Sequence, residues 1–132
     1  LNGVWNYFSD MVGIANQTLF ILSSAPDGAA KNQALAEMRT MRAFSYFQLM
    51  ELFGNIPLDT VYGSRELKTN TPRAQVFTFL ESELRNAIPF LSPVAGSTMY
   101  GKPNRYMAYA LLAKLYLNAQ VYTGTARLNE AV

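Results

Sequence analysis

The chain has 132 residues, half of them hydrophobic and only 15% charged, with a net charge of +2. That is enough apolar material for one domain with a real core, and it argues against a disordered segment. The eleven Lys and Arg are scattered singly, so there is no basic footprint for nucleic acid, and the absence of Cys and His removes disulfides, thiolate zinc sites, a cysteine nucleophile and the usual hydrolytic triads from these residues.

No apolar stretch reaches membrane-spanning length and no signal peptide is visible. From Leu1 to Leu22, apolar residues recur at three- and four-residue spacing (Val4, Trp5, Phe8, Met11, Val12, Ala15, Leu19), which predicts an amphipathic helix. Asn16-Gln17-Thr18 has the form of a glycosylation sequon, but its place within that helix makes the match a coincidence of letters. Ser23 to Gly28, with Pro26-Asp27-Gly28, predicts a turn between antiparallel helices.

The strongest helical signal runs from Gln33 to Phe53, without proline or glycine until Gly54. At 100° per residue, Gln33, Glu37, Thr40, Gln48 and Glu51 form a narrow polar strip interrupted only by Phe44. Leu35, Met38, Ala43, Tyr46, Phe47, Leu49, Met50, Leu52 and Phe53 cover most of the rest, so this helix is expected to be buried on several sides. Arg39 and Arg42 fall among those apolar residues. A guanidinium keeps its charge when buried, so both are expected to find partners, in an ion pair or in a fork of bonds to a neighbouring helix end, with a ligand-binding arginine as the alternative. Gly54 is suited to a left-handed cap, and Pro57 disfavours a helical Ile56.

Asp59 to Asn70 reads as a polar connection that carries Tyr62 and Arg65. Thr71 is expected to cap a third helix with Pro72 at its first position, running to about Ile88 before Pro89. Glu81 and Glu83 lie two apart on that helix and point to different faces, so they do not form a catalytic pair. A second loop spans Ser92 to Pro103 and holds Tyr100, after which Asn104 is expected to cap a fourth helix. Tyr109, Leu112, Ala113 and Tyr116 resemble the first helix of a tetratricopeptide repeat, and Leu128 to Val132 the start of its second, with a long turn from Asn118 to Arg127 between them.

Phosphate-cradling glycine loops, nucleophile elbows and usefully spaced carboxylates are all missing, so the residues do not read as an enzyme, and no cofactor or metal site is expected. What the chain offers is aromatic surface: one Trp, eight Tyr and eight Phe. Sugars present flat C–H faces that stack on rings, and their hydroxyls take amide, carboxylate and guanidinium partners. Trp5 beside Asn2 and Asn6, Tyr62 beside Arg65, and Tyr100 near Asn104 are the candidates for such contacts.

The run Glu37, Met41-Arg42-Ala43, Tyr46-Phe47, Leu49, Leu52-Phe53-Gly54-Asn55-Ile56-Pro57-Leu58 resembles the signature of the SusD/RagB family. Thr71-Pro72-Arg73, Glu83 to Ala87 and Ala110 to Leu117 follow in that family's order, and Trp5 with Asn16 is similar to a pattern that precedes it. The resemblance implies an all-α fold of antiparallel hairpins with tetratricopeptide-like packing, with residues 1–132 a partial domain from the N-terminal half of a larger, mostly helical protein. It implies a lipid-anchored, surface-exposed outer-membrane protein, its lipidated cysteine upstream of Leu1. Such a protein captures glycans, or in some members peptides, without enzymatic activity and passes them to a SusC-like TonB-dependent transporter. Arg42, Gly54 and Pro57 are then structural. The alternative is a tetratricopeptide-like scaffold that binds another protein. Met41 stands where leucine is usual and Asn55 where aspartate is usual, and the loops after Leu58 and Leu91 carry no family pattern from which a particular glycan could be inferred.

Overall fold

The computed structural model describes residues Leu1–Val132. Helix α1 (Asn2–Ser23) and helix α2 (Ala29–Phe53) form the first hairpin. Their antiparallel pairing is fixed at both ends. Trp5, at the start of α1, meets Phe53, at the end of α2, edge-on with ring centroids 5.0 Å apart. At the other end Lys31 donates to the carbonyls of Ser23 and Ala25, each at 2.9 Å, which places a cation on the orphan acceptors that close α1.

After α2 the chain makes a two-residue strand β1 (Ile56–Pro57), paired antiparallel with β2 (Asn70–Thr71) in the register Ile56 to Thr71 and Pro57 to Asn70. Helix α3 (Arg73–Ala87) then returns along α2, and α4 (Arg105–Leu117) returns along α3. A five-residue helix α5 (Ala119–Thr123) and a 3-10 turn (Leu128–Ala131) follow. The all-α expectation holds, with this one short ladder added.

Helix α2 lies at the centre. Ala43, Tyr46, Phe47, Leu49 and Met50 join Val76, Leu80 and Leu84 of α3 and Ala108, Leu111 and Leu115 of α4 in one apolar cluster. No helix is long and apolar enough to cross a membrane.

Several local expectations are corrected. Helix α2 begins at Ala29, ahead of Gln33. Thr40 is fully buried and not part of a polar strip, because its hydroxyl donates to the Ala36 carbonyl at 2.8 Å and leaves only a methyl to pack. Leu52 is half exposed beside Glu51 in the last turn. Arg39 is partly exposed and forms no ion pair, so the partner expected for it is not found. The fork of bonds to a helix end belongs to Arg105, which donates to the carbonyls of Ile88 at 3.2 Å and Leu91 at 3.2 Å.

Thr71 does not cap α3. Its backbone is taken up by the ladder, Pro72 occupies the cap position, and the Asn55 side chain accepts from the Arg73 N–H at 3.0 Å across that ladder. Asn104 does cap α4, accepting from the Met107 N–H at 2.9 Å. Gly54 has φ +79 and ψ −108, a backbone conformation open to glycine and outside the ordinary left-handed helical well. The expected long turn from Asn118 to Arg127 contains α5, which forms because Ala119 and Tyr122 are buried and the Tyr122 hydroxyl donates to the Glu51 carboxylate.

Candidate functional site

A buried polar network sits between α1, α2 and α3. The Arg42 guanidinium donates to Glu83 Oε2 from Nε at 2.9 Å and from Nη2 at 2.6 Å, and from Nη1 to Asn16 Oδ1 at 2.9 Å and the Thr60 carbonyl at 3.4 Å. Its face lies against the Phe79 ring, 5.6 Å from the centroid. Asn16 passes the connection on by donating to the Asp59 carbonyl at 3.0 Å. Tyr46 closes it, its hydroxyl donating to that same carbonyl and accepting from the Asp59 N–H at 2.8 Å. Burial pushes the Tyr46 phenol up to about 12, so it stays a neutral donor across the physiological range. No buried side-chain nitrogen or oxygen is left unpartnered.

This network pins the start of the loop after β1 to the helices. Asp59 Oδ1 then accepts from the Val61 N–H at 3.1 Å, which turns the chain back over α1. Tyr62 comes to rest there, 47% exposed, its ring tilted 37° against Phe20 at 5.4 Å and its hydroxyl accepting from Gln17 Nε2 at 3.3 Å. Between loop and helix runs an open groove of about 620 Å³. Ser9, Asp10, Gly13 and Gln17 line it from α1, and Asp59, Tyr62 and Ser64 from the loop. No Lys or Arg lines it, and Asp10 has no ion-pair partner.

The four residues expected to meet sugar do not converge. Tyr62 lies in the groove. Arg65, three residues on, is exposed and outside the lining. Trp5 is half buried against Phe53 and lines a smaller hollow of about 170 Å³ that shares Ser9 and Asp59 with the groove. Tyr100 is 93% exposed on the other loop, whose next residues Gly101 to Pro103 sit over Met11, Ile14 and Met38. Asp10, Gly13 and Gln17 escape sequence reading because they look like ordinary solvated helix positions. The available signal is Gly13, a glycine in mid-helix that costs about 1 kcal/mol relative to Ala and around which a Cβ would meet no atom within 4 Å.

A second groove of about 560 Å³ lies beside α3 and α4, lined by Ile88, Tyr109, Leu112, Ala113, Tyr116 and Ala131 among others. Its rim is charged. Tyr116 donates to Glu81 Oε1 at 2.7 Å and accepts from Arg85 Nη2 at 2.8 Å, while Arg127 pairs with Glu81 Oε2 at 2.8 Å and covers the Tyr116 ring at 4.8 Å. Burial alone would raise the Glu81 carboxyl, but hydrogen bonds from Arg127 and Tyr116 and the charges of Arg127 and Arg85 outweigh it and hold the group below its ordinary value. No cluster of three or more acidic groups is placed to hold a metal ion.

Residues 1–117 match a SusD-like family model described as starch-binding, associating with the outer membrane. A SusD-like protein of Bacteroides ovatus is 31% identical over 126 residues, covering 89% of this chain and 22% of that relative. The starch-binding protein SusD of Bacteroides thetaiotaomicron is 33% identical over 89 residues, covering 67% of this chain and 16% of that one. Among solved structures, one determined with a xylogluco-oligosaccharide superposes with a TM-score of 0.86 at 28% identity, over 98% of this chain and 27% of its own. A laminarin-binding SusD-like protein superposes with a TM-score of 0.84 at 28% identity, over 92% of this chain and 27% of its own.

Proposed function

Since the chain belongs to the SusD/RagB family of SusD-like proteins, we propose that it takes part in capturing glycans at a bacterial outer-membrane surface, without chemical turnover, for import. The observation that carries this reading is the match over residues 1–117 to a family described as starch-binding, joined to close superposition on relatives named for laminarin or solved with a xylogluco-oligosaccharide. In this reading residues 1–132 form the helical scaffold of a longer protein, lipid-anchored through a cysteine outside the segment, that delivers its ligand to a SusC-like TonB-dependent barrel. An aromatic ring held beside amide and carboxylate groups, as at Tyr62, Gln17 and Asp10, supports it.

The test is a glycan array probed with this chain and, in parallel, with the longer protein that contains it. Binding of the longer protein to a glucan or xyloglucan supports capture, and a blank array for both contradicts it. Co-purification of an outer-membrane barrel with the longer protein from solubilised membranes tests the transporter partnership, and recovery without one refutes it. The groove beside Tyr109 and Leu112 favours a second reading, a scaffold that receives an apolar protein segment between α3 and α4. Binding confined to protein partners would select it.

A further inference from the structure

We propose that the groove between α1 and the Asp59–Ser64 turn is a binding subsite for a neutral sugar, with Tyr62 as its platform, Asp10 and Gln17 as hydroxyl partners, and Gly13 as the space-giving position of its floor. This rests on the glycan-capture reading and goes further by naming a site and a class of sugar. Four features meet here.

The platform is held in place. Tyr62 has Phe20 against one face and a hydrogen bond from Gln17 on its hydroxyl, yet remains 47% exposed, so the ring is oriented before any ligand arrives. The turn beneath it is fastened to the core through Asp59 and Thr60, which Asn16, Tyr46 and Arg42 hold. A sugar ring stacking there would therefore lose little to loop ordering.

The hydroxyl partners are uncommitted. Gln17 uses its amide nitrogen on Tyr62, which leaves its carbonyl oxygen to accept, and Asp10 has no cation to satisfy it. Asn16, by contrast, spends both ends of its side chain on Asp59 and Arg42 and serves as floor. The electrostatics then select among sugars. With Asp10 and Asp59 in the lining and no Lys or Arg, a uronate, sulfate or phosphate would be repelled, whereas the hydroxyl pairs of a neutral sugar would donate to these acceptors.

Gly13 gives the fourth feature. Neither a close approach by the chain nor an unusual backbone angle explains a glycine here, since nothing lies within 4 Å of its would-be Cβ and its φ is helical. A side chain at this position would enter the groove. The volume, about 620 Å³, falls within the roughly 300–1,000 Å³ of small-ligand sites.

The experiment is affinity electrophoresis of the 132-residue chain in gels cast with laminarin, xyloglucan or starch, and with alginate as the acidic counterpart, alongside Gly13→Leu, Tyr62→Ala and Asp10→Asn. The expected result is retardation of the wild type by at least one neutral glycan and not by alginate. Gly13→Leu should lose that retardation while its Tm equals or exceeds the wild type's, because leucine favours the helix and only the groove is filled. Tyr62→Ala should weaken retention about tenfold, and Asp10→Asn by less. Full retention of Gly13→Leu and Tyr62→Ala in a gel that retards the wild type would place the sugar elsewhere and overturn this site, while glycan capture would stand. Retardation by alginate alone would overturn the neutral-sugar assignment. A wild type that runs freely in every gel would overturn this subsite for the chain, and the array result with the longer protein would decide the broader reading separately.

Discussion

Two arginine–glutamate clusters bracket α3, built from the same parts and placed differently. On one face Arg42 meets Glu83 with Phe79 beneath the guanidinium, and the side chains are 8% and 13% exposed. On the other, Arg127 meets Glu81 over the Tyr116 ring, with 27% and 17% exposure and Arg85 more than half in water. The first cluster is sealed by α1 and the pinned loop, while the second lies along an open groove. Equal chemistry should therefore carry unequal weight, because water that can replace a lost partner is present at only one of them.

The largest effect is expected at the sealed cluster. Arg42→Ala leaves the Glu83 carboxylate and the Asn16 side-chain oxygen without their partner in the interior and should destabilise by about 3–5 kcal/mol in urea unfolding. Arg42→Met combined with Glu83→Leu removes both charges and should recover most of that loss, since well-packed apolar groups can replace a buried pair. Equal stability for wild type and Arg42→Ala would show the cluster to be solvated after all.

Next is the cap that crosses the ladder. Asn55→Ala removes the acceptor for the Arg73 N–H and should cost about 1 kcal/mol, whereas Asn55→Asp should be neutral or slightly favourable. A thermal melt that separates the two by less than its own error would remove Asn55 from that role.

The smallest effect is expected at the open cluster. Arg127→Ala should cost less than about 1 kcal/mol and less still in added salt. Its pH dependence has a definite sign. Because the folded Glu81 carboxyl is held below its ordinary value of 4.5, its contribution is present in full above that value and lost as pH falls through the depressed one. The stability difference between wild type and Glu81→Gln should therefore shrink in acid below the ordinary carboxylate range. A difference that grows in acid would reverse the assignment.

The same comparison explains what could be seen before the structure. Helices α1 to α4, the central place of α2 and the Asn104 cap follow from local periodicity and local side-chain chemistry, and they hold, whereas the helix expected to start at Leu128 is a short 3-10 turn. Arg39 and Arg42 look alike on a helical wheel, yet only Arg42 meets a carboxylate, because that partner comes from 41 residues away. Asn55 caps α3 from 18 residues away, so the nearer Thr71 was the natural expectation. Tyr62 and Tyr100 are both loop aromatics next to polar residues. The difference between them is made by Asn16, Tyr46 and Arg42, which fasten one loop to the core through bonds to Asp59 and Thr60 that span 13 to 43 residues of chain.

The most direct test of the account is an amide chemical-shift titration of the isotope-labelled chain with a xyloglucan oligosaccharide. Saturable shifts are expected at Asp10, Gly13 and Gln17 and at Val61 to Ser64, with the second groove unmoved. Shifts confined to Tyr109 to Tyr116 and Ala131, or none at saturating sugar, would contradict it.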